Sequence, residues 1–146
     1  MNKKKIIFVI LTIACIAFIW INSSMDANES SELSGGVLGL INSFIMNMGI
    51  EQELSETIIR KTAHFTEYAV LAVLLTTDFK LFKADMRKQG FIVPFTGLLI
   101  AAVDETIQLF PAGRSSSVVD VWIDFGGVCA GFLIALAAYK IMGKSK

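Results

Sequence analysis

The sequence predicts an all-α, polytopic membrane protein with four transmembrane helices and a short amphipathic helix on the extracytoplasmic side. Hydrophobic residues make up 54% of the chain and the mean hydropathy is +0.64, so the composition is more apolar than that of ordinary soluble domains. Four apolar stretches each approach the about 20 residues that cross a bilayer as a helix. Helices are favoured there because lipid offers no partner to an unpaired backbone polar group.

The whole chain is predicted to form a single membrane domain that begins with an uncleaved helix. Three lysines precede the first apolar stretch, as in a signal peptide, but no small-x-small cleavage site follows it. The apolar length of the first stretch suits a transmembrane span. The second apolar stretch carries charged residues in its first half. The domain covers 1–146, with spans at about 6–25, 58–79, 91–110 and 118–142 and an extracytoplasmic segment at 22–57.

Lysine and arginine residues are distributed unevenly around these spans. If the N-terminus is cytoplasmic, only Arg60, Lys61 and Arg114 among the 13 Lys and Arg residues lie toward the outside. Cytoplasmic loops of membrane proteins carry an excess of Lys and Arg, so we predict that both termini are cytoplasmic.

The extracytoplasmic segment divides into a polar part and an apolar-periodic part. Residues 26–36 are rich in Ser, Gly and acids and predict a loop. The following residues predict an amphipathic helix that is too short to span, lying either at the outer interface or as a lid on the other helices. Its apolar residues at helical spacing are Val37, Leu40, Ile41, Phe44, Ile45 and Met48.

Polar residues gather at the predicted extracytoplasmic ends of the last three spans. Because a helix turns about 100° per residue, those of each span fall on or beside one face. In the third and fourth spans the acids share their stripe with small residues that allow close helix packing. The residues brought to this depth are Lys61, His64, Glu67, Tyr68, Asp104, Glu105, Gln108, Arg114, Asp120 and Asp124.

Each of these residues also has an ordinary structural interpretation. Lys61 can extend its amine to the interface, Asp120 can cap the fourth helix, and His64 can hydrogen-bond within the helix packing. Five carboxylates facing Lys61, His64 and Arg114 exceed what capping requires. Charged side chains within spans usually face inward and pair, so we predict a polar cavity open to the outer leaflet.

Other functional classes receive no support from the sequence. The formal net charge is zero, which argues against a nucleic-acid partner. One histidine and two cysteines in apolar runs form neither a disulfide framework nor a His/Cys zinc site. Phosphate-loop, G-x-S-x-G and H-E-x-x-H motifs are absent from the sequence. We therefore predict no metal and no cofactor, assign no catalytic residue, and favour a protein that is not an enzyme.

Two segments resemble the signatures of a known family. RKTAHFTEY at 60–68 resembles the first signature of the VanZ-like family, and DETIQLFPAGR at 104–114 resembles the second, which continues through Asp120, DFGG at 124–127 and Gly131. The resemblance implies a multi-pass protein of the bacterial cell membrane. It is a family named after a member that lowers susceptibility to the glycopeptide teicoplanin, and the ten residues above fall on its signature positions.

Three functional hypotheses follow. The first is binding of a polar head group at the outer leaflet, either a lipid-linked cell-wall intermediate or the acyl glycopeptide. The second is an intramembrane enzyme on a lipid-linked substrate, with His64 and Glu67 as base and orienting partner, or with acids holding a divalent cation: Asp104, Glu105, Asp120 and Asp124. The third is a structural partner protein with ion-paired helices. Membrane lipid is a predicted partner. For Gly127 and Gly131 two interpretations stay open: a contact within one chain or the interface of a homo-oligomer.

Overall fold

The regular structure of the chain is entirely α-helical wherever it is described. The computed structural model describes residues 2–47, 54–83, 85–114 and 116–144. The predicted all-α class is therefore confirmed. The helices are α1 (Lys3–Ser24), α2 (Ala27–Asn47), α3 (Glu56–Leu81), α4 (Met86–Ile107) and α5 (Val118–Lys144).

Three helices in the described part of the chain are long and apolar enough to cross a membrane: α1, α4 and α5. The sequence analysis expected four spans, and α3 does not meet the same criteria. Its 26 residues suffice in length, but His64 and Glu67 interrupt its first half and Asp78 lies near its other end. Length and composition thus identify an apolar membrane protein with three candidate spans.

α3 lies at the centre of the structure and contacts each of the other four helices. Tyr68, Leu71 and Ala72 of α3 are buried in the main hydrophobic cluster, together with Ile19 of α1 and Val93 of α4. Thr76 and Thr77 of α3 are buried as well, so part of the polar surface of this helix is shielded inside the bundle.

The close contact between α3 and α5 depends on glycine residues of α5. A Cβ on Gly127 would overlap the backbone of Phe65, and one on Gly131 would overlap the backbone of Ala69. On α4, a Cβ at Gly97 would overlap the Val128 side chain. The small-residue stripes thus pack inside one chain, while the oligomeric state stays a prediction.

The segment after α1 differs from the predicted loop and short helix. α2 extends over 21 residues and includes most of the supposed loop at 26–36. Asp26 and Glu29 form a capping box, in which Asp26 Oδ1 accepts from the Glu29 amide at 2.9 Å and Glu29 Oε2 from the Asp26 amide at 3.4 Å. The loop interpretation was wrong because it weighed the glycines above this capping signal. α2 contacts α3, while Leu40 and Phe44 are exposed.

Several smaller details of the prediction change or fall outside the structure. α4 ends at Ile107, so Gln108 lies in the turn after the helix, although its amide still donates to the Asp104 carbonyl at 3.0 Å. The amides of Leu109 and Phe110 then donate to the carbonyls three residues earlier, of Thr106 and Ile107, and this tighter turn leads the chain to Pro111. Met48 of the apolar stripe lies outside the described residues, as do the side chains of Val37 and Ile45.

Replacing Gly131 by alanine is expected to destabilise the helix bundle. The new methyl group would overlap the Ala69 carbonyl of α3, and overpacking of this kind costs about 1–3 kcal/mol. Unfolding of the purified protein in detergent measures the loss. Gly126→Ala is the matched control, because its methyl group would lie 3.5 Å from the nearest Phe65 ring carbon. Equal stability of the two variants would contradict the close α3–α5 contact.

Candidate functional site

A polar cavity of about 420 Å³ lies at the end of the bundle where α3 and α5 begin and α4 ends. It lies within the size range of ordinary small-molecule sites. Most of its wall is polar or charged. The lining residues are Thr57, Arg60, Lys61, His64, Glu105, Gln108, Gly113, Arg114, Ser117, Asp120, Ile123 and Asp124.

Lys61 and Asp120 connect α3 to α5 at the mouth of this cavity. Lys61 Nζ lies 2.5 Å from Asp120 Oδ1, and both side chains are partly exposed. Asp120 is not the cap of α5, because Ser117 fills that role: its Oγ accepts from the Val119 amide at 3.1 Å. An ion pair of this exposure contributes little to stability, so its main effect is to fix the position of the Lys61 charge.

Glu105 is buried and holds the loop that enters α5. Its Oε2 accepts from the Ser116 hydroxyl at 2.8 Å and from the Ser117 amide at 3.0 Å. These two bonds place the carboxylate at the N-terminal end of α5, where negative charge is favoured by the helix dipole. Glu105 therefore shapes the cavity wall. The neighbouring Ser115 lies outside the described residues.

Arg114 ties the same loop to the end of α1. Its guanidinium donates to the carbonyl oxygens of Asn22 at 2.8 Å and Met25 at 3.3 Å. The carbonyl end of a helix favours a positive charge, so this contact stabilises the α1 terminus. Burial, with a contribution from the nearby positive charge of Arg60, lowers the pKa of Arg114. Arg60 and Arg114 are thus close enough for their positive charges to interact.

Arg60 lines the cavity without an ion-pair partner in the described part of the chain. The sequence analysis left it out of the candidate site. Arg60 and His64 are four residues apart on α3, so they share a helix face, and this spacing was the available signal. Arg60 is the cation of the cavity that is best placed to meet an anionic ligand.

α1 also contributes polar groups, although the sequence suggested only an apolar span. Asn22 Nδ2 donates to Glu67 Oε1 at 3.2 Å, and Ser23 Oγ accepts from Gln108 Nε2 at 3.2 Å. Both contacts join residues more than 40 positions apart, so neither is visible in local sequence patterns. These two hydrogen bonds from α1 fix the orientation of the Glu67 and Gln108 side chains.

A cluster of three ionisable side chains forms the floor of the cavity: His64 of α3, Asp104 of α4 and Asp124 of α5. One nitrogen or oxygen atom of each lies within 4.8 Å of the others. The Asp104 side chain is fully buried and Asp124 is 2% exposed. His64 Nδ1 lies 3.8 Å from Asp104 Oδ2 and 3.9 Å from Glu67 Oε2, which are ion-pair distances without a hydrogen bond.

Several polar atoms of this region lack a hydrogen-bond partner of normal geometry among the described residues. They include both carboxylate oxygens of Asp104, one of Asp124, the Tyr68 hydroxyl and His64 Nδ1. The hydroxyls of Ser23 and Tyr68 interact electrostatically with Asp104 but do not reach it with such geometry. Buried polar groups are normally paired, so this concentration of unpaired groups makes the cluster the candidate functional site.

The ten residues predicted from sequence all lie at this end of the bundle, and they form two groups. Seven line the cavity, and three lie behind it. The lining residues are Lys61, His64, Glu105, Gln108, Arg114, Asp120 and Asp124, and those behind are Glu67, Tyr68 and Asp104.

An apolar groove of about 510 Å³ lies on the other side of α3. α1, α2 and α3 form it, through residues such as Phe18, Ile41 and Val70. Glu67 lines this groove, and its carboxylate lies 3.9 Å from His64 of the polar cavity. The two concavities are therefore separated by the His64–Glu67 pair.

A second polar region lies at the opposite end of α3 and was missed by the sequence analysis. Thr12 donates to Asp78 Oδ2 at 2.6 Å, and the buried Gln89 donates to the Thr76 carbonyl at 2.9 Å. These contacts hold α1 and α4 to α3, so this region is interpreted as helix packing.

Comparison with known proteins agrees with the two signature segments. A family model described as VanZ/LLP1 matches residues 8–139, which is most of the chain. Neither the curated proteins nor the solved structures contain a match. The match spans all five helices of the structure. The protein therefore belongs to the VanZ/LLP1 family.

Proposed function

We propose that this VanZ/LLP1 protein binds the anionic head group of a lipid-anchored envelope molecule at the outer face of a bacterial cell membrane. The observation that carries the proposal is the polar cavity of about 420 Å³ at one end of an apolar helix bundle. A soluble ligand would not require such a cavity to lie beside lipid. A membrane-anchored ligand would reach it directly.

The cavity has the chemistry to bind phosphate or carboxylate. Arg60, Lys61 and Arg114 line it, and arginine is suited to bidentate binding of planar or tetrahedral oxyanions. Asp120 already neutralises Lys61, and Arg114 donates to backbone carbonyls. Arg60 therefore provides the principal charge for the ligand.

The apolar groove supplies a matching place for the lipid chain. It lies between α1, α2 and α3, is lined mainly by apolar side chains, and begins on the far side of the His64–Glu67 pair. A ligand with a charged head and a long apolar tail has groups that suit both concavities. Lipid-linked cell-wall intermediates and acyl glycopeptides such as teicoplanin share this construction, so a role in teicoplanin resistance belongs to the same proposal.

The proposal includes α3 as a fourth membrane span. Its 26 residues extend over about 39 Å at the helical rise, which exceeds the about 30 Å of a hydrocarbon core. Its buried Tyr68, Thr76 and Thr77 lie against other helices, and such shielding makes a polar span tolerable. Four spans with the Lys and Arg bias put both termini in the cytoplasm and the cavity outside.

A second candidate function is an intramembrane enzyme acting on the same class of lipid. The observation that favours it is the buried His64–Asp104–Asp124 cluster with unpaired polar atoms, since active sites concentrate such groups. Binding and catalysis would use one ligand, so the binding experiment comes first. The purely structural alternative predicts that Asp104→Asn lowers protein abundance, whereas the binding proposal predicts lost function at unchanged abundance.

Arg60→Gln is expected to weaken binding of polyprenyl phosphate by at least about tenfold. The variant loses a charge-assisted hydrogen bond, and such bonds are worth about 1.5–3 kcal/mol. Binding to the purified protein in nanodiscs is measured with polyprenyl phosphate, and polyprenol of equal chain length serves as the uncharged comparison. Lys80→Gln is the matched control, because Lys80 lies over the Tyr139 ring, away from the cavity. Equal binding of the two lipids, or no effect of Arg60→Gln, would contradict the proposal.

In a strain whose teicoplanin susceptibility depends on this protein, Arg60→Gln and Asp104→Asn are expected to restore susceptibility at matched protein levels. Arg60 contacts the ligand in the proposal, and Asp104 lies beneath it at the cavity floor. Surface-bound teicoplanin is measured alongside growth inhibition. Arg114 is a poorer choice because its replacement would also release the α1 terminus. Wild-type susceptibility and wild-type surface binding in both variants would exclude the acyl glycopeptide as the ligand.

The proposed topology predicts which cysteines are accessible in intact cells. In a background with Cys15→Ser and Cys129→Ser, Asn28→Cys on α2 should react with a membrane-impermeant maleimide. Lys88→Cys on α4 should react only after permeabilisation, because it lies on the cytoplasmic side. The side chains of Asn28 and Lys88 are both exposed in the structure, so burial does not limit either reaction. The opposite pattern would reverse the orientation.

A further inference from the structure

We infer that His64, Asp104 and Asp124 bind a divalent transition-metal ion, Zn²⁺ or Mn²⁺, at the floor of the polar cavity. The site goes beyond the proposed head-group binding and does not depend on it. Each of three helices supplies one ligand, and the candidate ligand atoms lie within 4.8 Å of one another.

The first support is that the two carboxylates are buried and that atoms of all three groups lack a hydrogen-bond partner of normal geometry among the described residues. Asp104 is fully buried with both carboxylate oxygens unpaired, and Asp124 is 2% exposed with Oδ2 unpaired, among the described residues. His64 Nδ1 is likewise unpaired. Leaving such groups unsatisfied in a protein interior is costly, and metal coordination satisfies all of them at once.

The second support is that no nearby cation in the described part of the chain pairs with the two buried acids: Lys61 and Arg114 are engaged elsewhere, and Arg60 forms no salt bridge with either acid. Lys61 pairs with Asp120 at 2.5 Å, and Arg114 donates to the carbonyls of Asn22 and Met25. Buried carboxylates are normally paired with a cation or coordinate a metal. Within the described residues, no salt bridge to Lys or Arg reaches Asp104 or Asp124. A bound dication would supply the missing positive charge.

The structure also narrows the set of acids that are free to bind a metal ion. The carboxylate set suggested by the sequence included Glu105 and Asp120, but Glu105 accepts two bonds at the start of α5 and Asp120 pairs with Lys61. The candidate ligands that remain are Asp104, Asp124 and the imidazole of His64. Imidazole with carboxylates suits Zn²⁺ or Mn²⁺ better than Mg²⁺, which prefers oxygen ligands and several waters.

The geometry leaves one side of the metal open to the cavity. His64 and Asp124 line the cavity, while Asp104 closes the site from below. Zinc ligands lie at about 2.0–2.2 Å from the metal, so the three side chains would move inward from their present spacing on binding. Glu67 Oε2 lies 3.9 Å from His64 Nδ1 and is positioned to join the ligands. The open position would receive an anionic oxygen of the ligand.

The test is metal binding by the purified full-length protein. After dialysis against chelator, Zn²⁺, Mn²⁺ and Mg²⁺ are titrated separately, and metal content and thermal unfolding are recorded. We expect one Zn²⁺ or Mn²⁺ per chain and a higher unfolding temperature, because a ligand that binds only the folded state stabilises it. Asp104→Asn, Asp124→Asn and His64→Asn should each weaken binding by about 100-fold or more, beyond the 10–100-fold typical of outer-shell changes.

Asp78→Asn is the matched control, since Asp78 is an acid of α3 at the far end, bonded to Thr12. It should bind metal as the wild type does. If the cluster variants do not fold, Co²⁺ bound to wild-type protein gives the same information: its visible d–d bands should indicate nitrogen and oxygen ligation. Failure of the wild type to bind Zn²⁺ or Mn²⁺ would overturn the inference. Equal loss in Asp78→Asn, or preferred Mg²⁺ binding unaffected by His64→Asn, would also overturn it.

Metal binding and head-group binding fail separately in these experiments. Arg60-dependent binding of polyprenyl phosphate by metal-free wild-type protein would leave the proposed function standing without the metal. Metal bound at the cluster by Arg60→Gln protein would leave the metal site standing without the head group.

Discussion

The close approach of α5 to α3 is the contact on which the polar end of the bundle depends. Gly127 and Gly131 allow the backbone of α5 to reach the carbonyl oxygens of Phe65 and Ala69. One helical turn from Gly127 toward the cavity brings Asp124 to the same depth as His64. Larger residues at these two positions would move the helices apart and draw Asp124 away from His64.

This contact also determines where charge can be tolerated. Two helices at backbone distance exclude both lipid and water, so charged groups near them need partners inside the protein. Glu105 and Arg114 obtain theirs from the loop before α5 and from the end of α1. Asp104 and Asp124 remain beneath them, unpaired among the described residues. The same packing that stabilises the fold therefore creates the cluster at which we propose that a cation binds.

The two main departures from the sequence prediction have different physical causes. α2 is longer than expected because the Asp26–Glu29 capping box starts a helix that continues through Gly35 and Gly36, whose Cβ positions meet open space. α3 fails a hydropathy criterion because such criteria treat every residue as lipid-exposed. In the bundle, Tyr68, Thr76 and Thr77 of α3 are buried against other helices, which a local average of hydropathy cannot register.

The sequence by itself determined the helical class, the family and the gathering of the polar residues at one end of the bundle, because these follow from local periodicity, apolar length and short signatures. Helical phase also placed Asp124 on the stripe of Gly127, as the structure shows. Only the tertiary structure decided which charges are already engaged. The partners of Arg114 and Glu67 lie on α1, 45 to 92 residues away in sequence, and their bonds depend on how four helix ends meet in space.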